Sequence, residues 1–160
     1  MGKLKVGVLD FNNFGIVNDL LSAIEQMTCN ETSYFSLKFK PSYYFQILDG
    51  PIPQERGWYI ILDGTRPLYV GQADDLNYRL NTNHGSTDNY GRTSRSSDDK
   101  RNFIKKFDEL GVFNRLRVCI IPESKLCTLL AIDSSKLTKL DRDNVEKIID
   151  IHRGYFHYLS

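Results

Sequence analysis

The chain has 160 residues, and its 21 Lys and Arg residues against 20 Asp and Glu residues leave a formal net charge of only +1. A chain of this length buries roughly two-thirds of the surface that its unfolded form exposes, so it folds without disulfide or metal support. With 41% hydrophobic and 12% aromatic residues, disorder is excluded as the dominant state. The balanced charge also excludes a protein that binds nucleic acid by bulk charge, so a polyanion partner requires a local basic patch.

The three cysteines do not form the pattern of a disulfide framework or a zinc site. Cys29, Cys119 and Cys127 contain no CxxC pair and lie in no Cys/His cluster, which is typical of a reduced, cytoplasmic protein. Cys119 and Cys127 have apolar neighbours and are predicted to be buried structural thiols. We expect no transmembrane segment and no signal peptide, because no apolar run is long enough for either.

Residues 1–56 are predicted to form an α/β extension that packs on a core domain of residues 57–160. Residues 3–11 are a candidate strand, and residues 13–27 carry apolar side chains at helical spacing, which predicts a core-facing helix. Apolar and polar residues alternate over residues 34–40 and predict an extended segment. The Pro-containing stretch at residues 50–56 marks the boundary.

From residue 57 the predicted order is strand, strand, helix, helix, strand, helix. Aromatic and β-branched runs at 57–62 and 68–71 flank an Asp-Gly turn and predict a hairpin. Acidic residues at the start of 74–80 predict a helix, and a polar loop at 84–98 precedes a helix that ends at Gly111. Residues 115–122 predict a third strand and residues 141–152 a last helix. Residues 126–132 are apolar but too short to assign.

The hairpin carries two short motifs with a fixed spacing. GWY occupies residues 57–59 in the first strand, YVG occupies residues 69–71 in its partner, and Arg79 follows in the next helix. With this spacing and element order, residues 57–152 resemble the GIY-YIG nuclease superfamily. The resemblance implies an α+β domain whose three-stranded, mainly antiparallel sheet is flanked by helices. It also implies metal-dependent hydrolysis of DNA phosphodiester bonds.

The resemblance implies roles for individual residues. Glu146 on the last helix would bind Mg²⁺ or Mn²⁺, Arg79 would contact the phosphate, Tyr59 would be the general base, and Tyr69 would orient or assist it. These residue types suit the reaction, because hydrolysis needs an activated water and neutralisation of charge on the phosphate oxygens. A single carboxylate predicts an ion held mostly by water and substrate phosphate.

Each role has an alternative in the residues themselves. An ordinary tyrosine has a pKa of about 10, so Tyr59 needs a nearby cation to act as a base, and otherwise its hydroxyl bonds at a sheet edge. Arg79 can pair with an acidic residue one helical turn before it. Asp150, one turn from Glu146, and Glu123, after the third strand, are rival metal ligands.

Several positions depart from the family pattern. Trp58 replaces the usual apolar middle residue of the first motif, which we expect to be accommodated by packing. The histidine that often follows the arginine is replaced by Asn83, with His84 next to it as a candidate catalytic residue. The asparagine that commonly follows the last helix is missing, and residues 84–98 resemble an insertion. A catalytically decayed nucleic-acid-binding module and a protein-interaction domain are therefore alternative functions.

The charge is unevenly distributed along the chain. Seven basic and three acidic residues lie between Arg79 and Lys106, a net charge of +4, so the remainder carries −3. This segment predicts a nucleic-acid-binding surface composed of Arg92, Arg95, Lys100, Arg101 and Lys105, and the alternative is a solvated basic loop.

The expected partner is DNA, without a membrane or a small-molecule cofactor. The size resembles that of the small restriction endonucleases of the superfamily, and phage, mobile-element and repair nucleases are alternatives within it. Double-strand cleavage by a one-site monomer needs two copies or two visits, which favours a homodimer.

Overall fold

A five-stranded antiparallel sheet forms the centre of the protein, and the computed structural model describes residues 7–40, 44–47, 51–80 and 116–160. The strands are β1 (Tyr34–Lys40), β2 (Tyr44–Ile47), β3 (Gly57–Asp63), β4 (Arg66–Ala73) and β5 (Leu116–Pro122). The α-helices are α1 (Phe14–Thr28), α2 (Leu76–Tyr78), α3 (Glu123–Leu130) and α4 (Lys139–His152), with 3₁₀ turns at Glu31–Ser33 and Ser134–Lys136. The predicted mixed α+β class is confirmed.

The sheet is wider than the three strands that the sequence predicts. Its order is β2-β1-β5-β3-β4, in which β5, β3 and β4 are the predicted core, with β3 in the middle. Strand β1 pairs with β5, and β2 pairs with β1, both antiparallel. Because an unpaired strand edge leaves backbone groups without partners, β1 completes the hydrogen bonding of β5. The region before β3 thus extends the same sheet.

The β3–β4 hairpin forms as predicted. Asp63 pairs with Arg66, so the loop contains only Gly64 and Thr65. Gly64 has φ +61°, a left-handed conformation that glycine adopts without the steric cost of a Cβ atom. The Asp-Gly sequence is therefore the local reason that the chain reverses here.

Alternate residues of β3 face two separate hydrophobic cores. Trp58, Ile60 and Leu62 face the first core, against which α1, α3 and α4 pack. Tyr59 and Ile61 face the second core on the other side of the sheet. In the described part of the chain, side chains that follow β2 and β4 close this second core, namely Ile52, Leu76 and Leu80. The central strand is therefore buried on both faces.

Helices α1 and α4 confirm two predicted helices. The side chain of Asn13 caps α1, and the predicted apolar face is buried through Leu20, Ile24 and Met27. Helix α4 begins slightly before the predicted start, because Thr138 caps it by accepting a hydrogen bond from the amide of Asp141. Over the described ranges, no helix has both the length and the apolar character needed to cross a membrane.

The prediction of a strand at residues 3–11 is wrong over residues 7–11, the part that the structure describes. Residues 7–13 form bends and turns. The amides of Val8 and Leu9 donate to the carboxylate of Asp141, at 3.1 Å each, and are thereby unavailable to a neighbouring strand. A side chain far along the chain has overridden the local strand pattern.

Three other segments refine the predictions. Residues 126–132, which the sequence does not assign, lie largely in α3, whose end is marked by Ala131 with φ 56°. The helix predicted at 74–80 begins at Leu76, where Asp75 caps α2, and residues 79 and 80 continue it as a π-helical turn. The predicted loop at 84–98 and the helix that ends at Gly111 lie outside the described residues.

The cysteines have the predicted environments. Cys119 and Cys127 are buried, and Cys29 is exposed. Burial raises the pKa of the Cys119 thiol to about 12 and that of the Cys127 thiol to about 11. Neither buried thiol is a reactive nucleophile, because the thiolate is disfavoured at neutral pH.

The buried carboxylate of Asp141 connects the start of the chain to α4. Besides the amides of Val8 and Leu9, it accepts the amide and hydroxyl of Thr138, at 2.9 Å each. Burial alone would raise the pKa of Asp141, but these hydrogen bonds stabilise the charged form and hold the pKa below its usual value. A Cβ atom on Gly7 would collide with this carboxylate.

We predict that Asp141→Asn lowers the free energy of unfolding by about 2 kcal/mol at neutral pH, because the amide loses the charge and one acceptor oxygen. Folding lowers the pKa of Asp141 below the ordinary carboxyl value of about 4. The stabilisation by its carboxylate is therefore fully present above that value and is lost as the pH falls through the lower pKa of the folded protein. In urea unfolding, the difference in free energy of unfolding between wild type and Asp141→Asn should become smaller as the pH is lowered. Asp150→Asn, exposed on the same helix, is the control, and an equal loss in both variants would contradict the prediction.

Candidate functional site

A polar cleft of about 340 Å³ opens beside β4, which lies at one edge of the described sheet. One wall comes from β3, β4 and the residues that follow them, and the other comes from α4. The lining residues are Tyr59, Tyr69, Gly71, Gln72, Ala73, Asp74, Arg79, Lys139, Asp143 and Glu146. Polar groups therefore dominate a concave surface at the sheet edge.

Four of the five predicted catalytic residues line this one cleft. Tyr59 comes from β3, Tyr69 from β4, Arg79 from the turn after α2, and Glu146 from α4. Their meeting depends on the tertiary fold, because four different parts of the chain supply them. The fifth, His84, lies outside the described residues, as do the predicted nucleic-acid-binding residues Arg92, Arg95, Lys100, Arg101 and Lys105.

The structure separates Glu146 from its two rivals. Glu123 is only 7% exposed and forms an ion pair with Arg142, with 2.6 Å between Oε1 and Nε. Asp150 is exposed and pairs with Arg153 at the end of the same helix. Neither rival lines the cleft. Of the three carboxylates weighed from the sequence, Glu146 is therefore the one placed with the tyrosines and Arg79.

Arg79 does not form the helix-surface ion pair that the sequence allows. The carboxylate of Asp75, one turn before it, caps α2 and accepts the amide of Tyr78 at 3.0 Å. Among the residues that the structure describes, no carboxylate lies within ion-pair distance of the Arg79 guanidinium. Asp75 thus serves the helix, and Arg79 contributes its positive charge to the lining of the cleft.

Helix α2 is held in place by the segment that precedes β3. The amide of Leu76 donates to the carbonyl of Glu55 at 2.8 Å, and the side chain of Asn77 donates to the carbonyl of Ile52 at 3.1 Å. These bonds satisfy groups that such a short helix cannot satisfy internally. Residues 52–55 therefore fix the direction from which Arg79 enters the cleft.

Gly71 has a steric reason to be glycine. It is the direct cross-strand partner of Tyr59, and a Cβ atom added to it would lie 2.5 Å from both Cζ and the hydroxyl oxygen of Tyr59. The ring of Tyr69 lies beside this pair, with 6.1 Å between the two ring centroids. The glycine of the YVG motif thus makes room for the tyrosine of the GWY motif.

Gly57 allows a second close approach. A Cβ atom there would meet the carbonyl of Ile121 in β5 and the side chain of Leu76 in α2. The residue lies where β3, β5 and α2 converge. Any side chain would push the helix that leads to Arg79 away from the sheet, so the two motif glycines control the positions of different site residues.

Trp58 connects the hairpin to α4 from the opposite face of the sheet. It is 1% exposed, as expected of a packing residue, and its indole Nε1 donates to the carbonyl oxygen of Arg142 at 3.1 Å. A buried indole N–H needs such a partner. The tryptophan therefore packs in the core and also fixes the register of the helix that carries Glu146.

Four polar residues of the cleft were not predicted from the sequence, namely Gln72, Asp74, Lys139 and Asp143. The carboxylate oxygen Oδ1 of Asp143 accepts Gln72 Nε2 at 2.5 Å and Lys139 Nζ at 3.3 Å. The sequence does contain a signal for Lys139 and Asp143. They precede Glu146 by seven and three positions, and this spacing puts all three side chains on one face of the helix. Of the two carboxylates one turn from Glu146, the alternative weighed from the sequence is Asp150, which follows it, whereas Asp143, which precedes it, lies in the cleft.

The oxygen donors of the cleft suit a hard divalent cation. Glu146 and Asp143 offer carboxylate oxygens from successive turns of α4. Within the described ranges, no three or more His, Cys, Asp or Glu residues are grouped to hold a metal ion. Such a cleft fits Mg²⁺ or Mn²⁺ bound by one or two protein oxygens, water and a substrate phosphate, and it does not fit a zinc site.

No family model, no curated protein and no solved structure matches the chain. A functional assignment has to be argued from the site itself, from which groups meet there and what they can do chemically. The groups that meet are tyrosine side chains, two cations and three carboxylates.

We predict that Gly71→Ala destabilises the protein by about 1 to 3 kcal/mol, because the new methyl group must displace the Tyr59 ring. Thermal or urea unfolding measures the loss. Gly154→Ala is the matched control, since a Cβ atom at Gly154 has open space around it. Equal stability of the two variants would show that the Tyr59 ring is not held against Gly71.

Proposed function

We propose that the protein is a metal-dependent endonuclease of the GIY-YIG type that hydrolyses DNA phosphodiester bonds. The observation that carries the proposal is the meeting of Tyr59, Tyr69, Arg79 and Glu146 in one polar cleft. Hydrolysis of a phosphodiester needs a cation, a proton acceptor and oxygen ligands for a divalent ion within reach of one phosphorus atom. The cleft contains one group or more of each kind.

Arg79 is the residue that binds the phosphate. Its guanidinium donates in a planar fork that matches two oxygens of a phosphate group. Arg79 also lines the same cleft as Tyr59, and it is the cation that a phenolic base requires. One arginine thereby orients the substrate and activates the base.

In the proposed reaction, the Tyr59 hydroxyl first loses its proton to solvent. The resulting phenolate accepts a proton from the attacking water as the water oxygen bonds to phosphorus. The P–O bond opposite the attack breaks, and the leaving oxygen takes a proton from solvent. Tyr69, with its ring beside that of Tyr59, limits the orientations of the base. Glu146 would hold the divalent ion, which when bound stabilises negative charge on the phosphate and leaving oxygens.

Incubation of supercoiled and linear DNA with Mg²⁺ or Mn²⁺ tests this function. We expect wild type to cleave, and Arg79→Ala and Glu146→Gln each to lose at least about 100-fold in rate, because each removes charge stabilisation from the transition state. Arg66→Ala and Asp150→Asn are the charge-matched controls, since both residues lie outside the cleft. The controls should cleave as wild type does.

The outcomes separate the proposal from its alternatives. Discrete fragments would indicate a sequence-specific, restriction-type enzyme. DNA binding without cleavage under any metal would overturn the nuclease and favour a nucleic-acid-binding module. Weak, salt-insensitive association with DNA would favour a protein-interaction domain, and full activity of both cleft variants would show that the chemistry takes place elsewhere.

A further inference from the structure

We propose that Lys139 is a second phosphate-binding residue of the cleft, held in position by Asp143. The proposal rests on the function above in taking DNA as the ligand, and it extends that function to a residue for which the sequence gives no role. It implies that cations on both walls of the cleft bind the phosphate backbone of the DNA. Arg79 acts from the β4 side and Lys139 from the α4 side.

The first support is the hydrogen bonding of Asp143. Its Oδ1 accepts both Gln72 Nε2, at 2.5 Å, and Lys139 Nζ, at 3.3 Å. Gln72 belongs to β4, whereas Asp143 and Lys139 belong to α4. One carboxylate oxygen therefore links the strand to the helix and pairs with the ammonium group of Lys139.

The second support is that Lys139 lies where helix electrostatics disfavour it. It is the first residue of α4, and the positive end of the helix dipole favours acidic side chains there. Its partner Asp143 lies four positions later, which is the weaker order for a helical ion pair. Lys139 therefore occupies an unfavourable position for a cation and receives only an exposed ion pair in return, which points to a role in binding.

The third support is the charge of the α4 wall. Asp143 and Glu146 place two carboxylates on this wall, and both repel an approaching phosphate when no metal ion is bound. Lys139 is the cation that α4 contributes to the cleft lining, and its side chain is 83% exposed. The ammonium group can therefore turn from Asp143 toward a phosphate oxygen.

The test measures binding of a short, fluorescently labelled random-sequence duplex in EDTA, so that no cleavage is required. We expect Lys139→Gln to weaken binding about tenfold, by loss of one charged hydrogen bond. The slope of log affinity against log salt, measured between about 50 and 200 mM, should fall by about 1. The melting temperature should equal or exceed that of wild type, because a cation has left the helix start.

Lys147→Gln is the matched control. Lys147 is exposed on the same helix and does not line the cleft, and the variant has the same net charge as Lys139→Gln. Its binding and salt slope should match those of wild type. A general effect of net charge would weaken both variants equally and would overturn the proposal.

Asp143→Asn and Asp143→Ala test the positioning role. Both remove the same negative charge, but only asparagine keeps an oxygen that can accept Gln72 and Lys139. We expect the alanine variant to bind DNA about fivefold more weakly than the asparagine variant. A purely electrostatic role of Asp143 predicts equal binding by the two and would overturn the positioning role.

The results distinguish this proposal from the proposed function. Unchanged binding and slope in Lys139→Gln, with weakened binding in Arg79→Ala, would overturn the role of Lys139 and leave the nuclease intact. Weakened binding in Lys139→Gln by a protein that does not cleave would support the role and overturn the nuclease. A wild type that binds no DNA would overturn both.

Discussion

The geometry of the cleft depends on one hydrogen bond, from the indole of Trp58 to the carbonyl of Arg142. In an α-helix this same carbonyl accepts the amide of residue 146, so the bond acts on the turn that carries Glu146. Trp58 immediately precedes Tyr59, and successive strand residues point to opposite faces of a sheet. One dipeptide therefore fixes a helix on one face and places a tyrosine in the cleft on the other.

The segments that precede β3 in the chain also support the site. The amides of Val8 and Leu9 bind the carboxylate of Asp141 near the start of α4. The carbonyl of Glu55 accepts the amide of Leu76 at the start of α2, and the carbonyl of Arg56 accepts the amide of Glu123 at the start of α3. Three helices thus begin on groups supplied by the region before β3, which makes this region part of the framework of the cleft.

Local patterns predicted the elements that local physics determines. The Asp-Gly turn, the helical spacing of apolar residues in α1 and the alternation in β1 were sufficient because each is set by near neighbours in the chain. The strand expected at residues 3–11 failed over residues 7–13, and the pairing of β1 with β5 was missed, because both depend on groups that are distant in the sequence. In the site, the motif spacing indicated Tyr59, Tyr69 and Arg79, and the resemblance of the last helix indicated Glu146. Lys139 and Asp143 were not predicted as site residues, because they join the cleft through a tertiary contact, the hydrogen bond from Gln72 of β4 to Asp143 of α4.

The position of β5 in the sheet has a consequence for the order of folding. Strand β5 lies between β1 and β3, so the N-terminal strand pair and the motif hairpin have no direct pairing with each other and are joined through it. Both precede residue 116 in the chain, so they cannot be joined into one sheet until β5 has been synthesised. The cleft is complete only after β5 has been synthesised, because α4, which supplies Glu146, follows β5 in the chain. A nascent chain that stops before β5 would carry both motifs and yet have no cleft.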